Sequence, residues 1–219
     1  MRSKYFEHQH VFNEIELETE TVDDQRYYKI PTGERYKSVT TVLSKLNSNQ
    51  IAEWRNRVGH DVAQKISTQA SRRGTALHKV VEDYLKNDDN FLDKHTPASI
   101  DLFSSIKDIL DKRVEIVYGQ EFCLFSHHLK TAGRCDLFCK FDGLNTVVDI
   151  KSSSKQKRHE WIENYFIQAT TYAIMIAERH NINVPTIAIV IGVENGRPQV
   201  FVERVKDWVW KTREVFISS

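Results

Sequence analysis

The stretch Gly133-Arg134-Cys135-Asp136-Leu137-Phe138-Cys139-Lys140-Phe141-Asp142-Gly143-Leu144-Asn145-Thr146-Val147-Val148-Asp149-Ile150-Lys151 reads as two strands joined by a tight turn. Asp-Gly tolerates the positive φ angles of a two-residue hairpin loop, and β-branched and aromatic residues flank it. With Asp142 and Gly143 as the loop, Phe141 pairs with Leu144, and carrying the register outward sets Asp136 opposite Asp149. Directly opposed Cβ atoms lie about 4.5 to 5.5 Å apart. Lys151, two residues beyond Asp149, falls on the same face. A four-residue loop would keep the three together, whereas a three-residue loop would send one strand's side chains to the other face. Facing carboxylates destabilise a sheet unless a cation compensates. Lys151 supplies part of that charge, and a divalent metal would supply the rest. Taken alone, Asp-x-Lys is a frequent chance tripeptide, and an aspartate exposed at a hairpin end is the plainer reading.

Working outward, Gln120 to Ser126 reads as a third strand preceding this pair, and a long helix from about His159 to His180 follows it. On that helix Ile162, Phe166, Ala169, Ala173 and Ala177 form an apolar stripe suited to the core. Trp161, Tyr165, Gln168 and Tyr172 form a second stripe, able to stack on bases and hydrogen-bond a phosphate. Between the strand and the helix, Ser152 to Arg158 is a polar loop whose cations Lys155, Lys157 and Arg158 suit a phosphate backbone as well as they suit solvent. Further strands are expected at Thr186 to Val193 and Gln199 to Val205, joined by the Asn195-Gly196 turn, with a last helix over Asp207 to Phe216.

Upstream, residues 10 to 31 carry an irregular strand pair with Asp23-Asp24 as its turn. Ser38 is placed to cap a helix through Leu46, and a second short helix ends at Gly59. From His60 to about Asn87 the pattern is helical, with a break expected near Thr68 to Ser71; Leu77, Val81, Tyr84 and Leu85 mark its buried side. His78 and Glu82, spaced i, i+4, share a face beside that stripe. Gly74, one turn before His78, leaves room for a close approach although glycine costs roughly 1 kcal/mol in a helix interior. Thr96-Pro97 opens another helix, to about Arg113.

At 219 residues and 25.6 kDa the chain suits one domain, 1–219, with an N-terminal hairpin and helical wall (1–68), a core (69–193) and a C-terminal strand and helix (194–219). The fold class expected is α/β (α+β): a central mixed sheet flanked by helices, with an N-terminal helical extension. With 40% hydrophobic and 28% charged residues the composition is globular, and no run approaches the ~18 apolar residues of a membrane span. Met1 to Glu14 has no signal-like apolar segment, so the cytoplasm is the expected compartment. Cys123, Cys135 and Cys139 are odd in number and lie on expected strands, so buried thiols are expected. A net charge of +1 leaves polyanion binding to local clusters such as Arg55 with Arg57 and Arg72 with Arg73.

With these residues assembled, the chain resembles the RecB-like branch of the PD-(D/E)XK nucleases, and within it the compact single-domain exonucleases of phages and mitochondria, over about Ser38 to His180. The family's Gly-x-x-x-His helix matches Gly74 and His78. Its Gly-x-x-Asp strand matches Gly133 and Asp136, and its Asp-x-Lys strand matches Asp149 and Lys151. Its Gln-x-x-x-Tyr helix matches Gln168 and Tyr172, and its acidic residue opening the first core strand matches Glu121. Ser38-Val39-Thr40 and Trp54-Arg55 resemble the subgroup's N-terminal segment. Some relatives carry an iron-sulfur cluster on four cysteines; three cannot build one.

The resemblance implies a restriction-endonuclease-like core and a DNA exonuclease dependent on Mg²⁺ or Mn²⁺, with DNA repair or recombination as its setting. His78, Asp136, Asp149 and the Ile150 carbonyl would hold the metal, with Glu121 or Glu82 available to a second ion or a water. Lys151 would orient and help deprotonate the attacking water and stabilise the developing negative charge, and Gln168 and Tyr172 would position the strand. Arg72, Arg73, Lys155, Lys157, Arg158, Trp161, Tyr165, Ser38 and Thr40 would contact DNA, expected single-stranded because the helices from Ser38 to Gln69 would wall the cleft. A structure-selective endonuclease or a non-catalytic nucleic-acid binding module is the alternative.

Overall fold

The computed structural model describes residues 4–217, the side chain at position 47 excepted, so the start of the N-terminal stretch (1–3) and residues 218–219 lie outside it. The elements are β1 (Glu7–His8), β2 (Glu18–Val22), β3 (Gln25–Lys29), β4 (Arg35–Ser38), α1 (Val39–Ser44), α2 (Ser48–Val58), α3 (His60–Leu85), α4 (Pro97–Arg113), β5 (Val114–Ser126), β6 (Thr131–Phe141), β7 (Leu144–Ser153), α5 (Glu163–His180), β8 (Thr186–Val193), β9 (Gln199–Arg204) and α6 (Val205–Ile217).

Local chemistry sets these boundaries. Asp142 and Gly143 have φ of +50° and +79°, and Asp23 and Asp24 have +49° and +59°, so both tight hairpins close through left-handed pairs. Ser38 caps α1 by accepting the Thr41 N–H at 3.0 Å, and Thr96 caps α4 with Pro97 in its first turn. Gly59, at φ +88°, separates α2 from α3. The break expected near Thr68 to Ser71 is absent: α3 runs unbroken for 26 residues, since neither proline nor glycine lies between Thr68 and Ser71.

Among the described residues, all nine strands belong to one mixed sheet. β5, β6 and β7 are antiparallel neighbours, β8 lies parallel to β7 across the α5 crossover, and β9 returns antiparallel. The β6–β7 register runs from Phe141↔Leu144 to Leu137↔Val148, as the Asp-Gly loop requires. The N-terminal strand pair is part of this sheet: β4 pairs with β3 and, in parallel, with β6 through Lys37↔Thr131 and Ser38↔Ala132.

That last pairing creates the feature on which the site depends. A strand has two edges, and β5 occupies one edge of β6 along Thr131 to Phe141. β7 and β4 must therefore share the other, β7 at its C-terminal half and β4 at its N-terminal end. Between them, residues 133 to 136 face a fork in the sheet.

Helices cover both faces. α3 and α4 bury Leu77, Tyr84, Phe103 and Ile106 against Val148, Ile150 and Val190. α5, with α1 and α6, buries Phe166, Ala169 and Ile176 against Phe138, Val147 and Ile189. Each of the leucine, isoleucine, valine and phenylalanine side chains contributes about 1.5 to 3 kcal/mol when removed from water. Ala177, expected in the core stripe, is exposed, and Trp161 sits in a separate turn of 3₁₀ helix, His159–Trp161, before α5 begins. α2 buries none of its side chains, and in the first half of α3 only Ala63 is buried, so this helical pair stands off the core. The architecture is thus a central mixed sheet flanked by helices with a helical extension. All three cysteines are free and buried, and no helix among the described residues is long and apolar enough to cross a membrane.

Candidate metal centre

Burial of Leu77 and Val81 fixes the rotation of α3 and aims His78 at the fork. Its Nε2 lies 2.7 Å from the Ile150 carbonyl. A carbonyl only accepts, so that bond puts the proton on Nε2. In the neutral ring the Nδ1 lone pair then faces Glu121 Oε1 at 3.5 Å and Asp136 Oδ1 at 3.7 Å. One ligand atom from each of His78, Glu121 and Asp136 lies within 4.8 Å of the others. Three acceptors converging this way repel one another unless a proton or a metal cation sits among them. Burial lowers the His78 pKa, but Asp136 and Glu121 outweigh it, with Lys151 opposing, and drive it up to about 9. A proton is thus held where a cation could be.

Each acid is set by a different device. Where the β6–β7 ladder ends, Asp136 Oδ2 turns across the fork and accepts the Ile150 N–H at 2.9 Å. The expected face-to-face pairing with Asp149 therefore stops one residue short, because the strands part at that point. Glu121 adopts φ +51° within β5, a left-handed conformation that costs a non-glycine residue roughly 1 to 2 kcal/mol. Arg134 Nη1 donates to its carbonyl at 2.9 Å.

Asp149 is 1% exposed, with Lys151 Nζ 2.5 Å from its Oδ2. That contact is an ion pair in poor hydrogen-bond geometry, and neither carboxylate oxygen has a well-directed donor among the described residues. Burial raises the Asp149 pKa against the pull of Lys151. For Lys151, burial lowers and Asp149 with Asp136 raise, the net shift being upward. Lys151 is an ammonium in this pair, which suits it to stabilise negative charge. Its Nζ lies 5.2 Å from the centre of the Tyr165 ring. Asp149 stands outside the three-residue cluster, so the expected metal set divides: His78, Asp136 and Glu121 converge, Asp149 holds Lys151, and the Ile150 carbonyl orients the imidazole. The half-buried, mixed imidazole-carboxylate set of His78, Glu121 and Asp136, with its ligand atoms drawn together, fits a divalent cation.

The flanking residues divide as well. Tyr172 is buried, and a Cβ on Gly133 would lie 2.7 Å from its hydroxyl oxygen, so glycine is required there for this contact. Gly133→Ala is expected to lower stability by about 1 to 3 kcal/mol through overpacking, with Tyr172→Phe recovering part of the loss in denaturant titrations. Gln168, half-buried, precedes Tyr172 by one turn of α5. Gly74 is not demanded by packing, since a Cβ there would meet only Ser152 Oγ at 3.7 Å. It borders a cavity of about 390 Å³ together with His78, Glu82 and Glu121. Glu82 is tied to Lys79 and Lys86 at 3.0 and 2.5 Å. Ser38 is a buried helix cap, which removes it from the expected surface contacts, while Thr40 is exposed. Arg73 is held by Glu194 at 2.6 Å, leaving Arg72, Lys155 and Arg158 as exposed cations and Lys157 half-buried.

Arg134 and the Glu121 backbone were not legible as parts of this site. Left-handed φ is expected of Asn, Asp or Gly, and nothing in the sequence marks a glutamate for it. Glu121→Gly is expected to keep or raise the melting temperature, by relieving that strain and one like charge, while shrinking the rise in melting temperature that Mn²⁺ produces.

No known protein family matches the sequence, and no curated protein matches it. Among solved structures, one described as "Putative exonuclease", from Eubacterium rectale, is similar at 12% identity and a TM-score of 0.40, covering 68% of each chain. The protein SSO0001 is similar at 14% identity and a TM-score of 0.31, covering 66% of this chain and 72% of that one. Likenesses this slight carry no argument about function, which rests on the site.

Proposed function

We propose that this protein is a metal-dependent DNA exonuclease that prefers single strands with free ends. The observation that carries the reading is the convergence of His78, Glu121 and Asp136 in the sheet fork, beside a buried Asp149–Lys151 pair. Mg²⁺ or Mn²⁺ held by His78, Asp136 and Glu121 would supply Lewis-acid polarisation of the scissile phosphate. Lys151 stabilises the charge that develops on the phosphoryl oxygens as water oxygen bonds to phosphorus and the ester oxygen leaves with a proton. Asp149 fixes the Lys151 ammonium, and the Ile150 carbonyl fixes the imidazole. Gln168 positions the strand, Tyr172 supports β6 beneath Gly133, and Arg72, Lys155, Lys157 and Arg158 reach phosphates. Trp161 is 62% exposed with the Arg158 guanidinium over its ring, an arrangement suited to stacking on an unpaired base.

End-labelled linear and circular single-stranded DNA, incubated with Mg²⁺, Mn²⁺ or EDTA, test the reading. The expected result is degradation of the linear form alone, abolished by EDTA. Nicking of circles would replace the exonuclease with an endonuclease on the same core, and binding without metal-stimulated cleavage of either would remove the nuclease reading.

A further inference from the structure

A second cavity, of about 410 Å³, opens on the flank of α5 between the chain following α1 and α6. That volume lies within the ~300 to 1,000 Å³ typical of sites for small ligands. Its wall includes Trp161, Leu46 and Ile167, the first two 62% and 47% exposed, and the amides of Gln50 and Asn164. Neither amide has a hydrogen-bond partner among the described residues. The cation bordering the cavity, Lys211, is neutralised by Glu163.

We infer that this cavity is a pocket for one unpaired nucleobase of the substrate strand. A flat aromatic wall offers stacking to any heterocycle, and each neutral amide offers both a donor and an acceptor to its edge. With its lysine already paired and Glu160 and Glu163 on the rim, the cavity is unsuited to a phosphate. Its position supports the same occupant. Trp161 precedes by four residues Tyr165, whose ring lies 5.2 Å from Lys151 Nζ, so the pocket and the metal centre both border the N-terminal end of α5. A base within a duplex is paired and stacked and cannot enter, which makes the pocket a selector of single strands. The assignment of its occupant rests on the nuclease reading for its place along the strand, but binding can be measured without cleavage.

The test is a set of otherwise identical oligothymidylates, each with one abasic position, bound in EDTA to the full chain and followed by fluorescence anisotropy. One position is expected to lose about tenfold to a hundredfold in affinity when its base is removed. That sharp loss is expected to disappear in Trp161→Ala and to shrink in Gln50→Ala and Asn164→Ala. These are side chains at a cavity rim, and circular dichroism checks that each variant folds. An even loss along the oligonucleotide, or a sharp position that survives all three substitutions, overturns the pocket. A sharp position in a wild-type protein that cleaves nothing with Mg²⁺ or Mn²⁺ keeps the pocket and removes the nuclease reading, so the two fail separately.

Discussion

Asp136→Asn is expected to reduce metal-dependent cleavage by roughly 10²- to 10³-fold, the scale on which removal of one group that stabilises transition-state charge is felt. The substitution is nearly isosteric, and an amide oxygen can still accept the Ile150 N–H that Asp136 Oδ2 accepts at 2.9 Å. What it removes is the formal charge beside His78 Nδ1, 3.7 Å away. The melting temperature without metal is therefore expected to stay close to that of the wild type, whereas its rise with Mn²⁺ is expected to be mostly lost. Differential scanning fluorimetry with and without Mn²⁺, beside the cleavage time course, checks both. A variant that retains cleavage within a few fold would show that the carboxylate serves only the hydrogen bond across the fork.

The largest effect on stability is expected at Asp149→Asn. Asp149 and Lys151 form an ion pair whose acid is 1% exposed and whose ammonium is 20% exposed. Removing one partner of a buried pair leaves an uncompensated charge in a poor solvent and costs about 3 to 5 kcal/mol. For a chain of 219 residues, that is a fall in melting temperature of roughly 6 to 20 °C. The double variant Asp149→Asn/Lys151→Met removes both charges and is expected to regain most of the loss, because apolar replacement of a whole buried pair is often neutral or stabilising. Both variants are expected to be inactive. Thermal melts of the four members of this cycle measure the coupling. If the double variant were no more stable than Asp149→Asn, the pair would not be the source of the loss.

The hairpin was readable because its turn chemistry and its strand pattern agree: Asp142-Gly143 demands two positive φ angles, and only one register then places Val148 and Ile150 against α3. The helix caps Ser38 and Thr96 were readable for the same local reason. The fork was not, because it depends on Ser38 meeting Ala132, a contact between distant parts of the chain that no local pattern encodes. The fork in turn decides the site. It stops the ladder before Asp136 and Asp149 can oppose each other, so that one acid joins His78 and Glu121 while the other is left to Lys151. Trp161 was legible as an aromatic of the right type, but its place in a separate turn, beside the amides of Gln50 and Asn164, is a matter of how α5 packs on its neighbours.

The two-residue seam joining β4 to β6 also bears on when the centre comes into being. Thr131 Oγ1 donates to the Lys37 carbonyl across 94 positions of chain, and closing so long a loop is entropically costly and slow. The hairpin from Thr131 to Ser153 needs no such closure and can pair early, carrying its acids and lysine without a gap to hold them. Competence to bind a cation would then mature only when the first forty residues dock, so a chain still emerging or partly folded would carry the ligands but not their spacing.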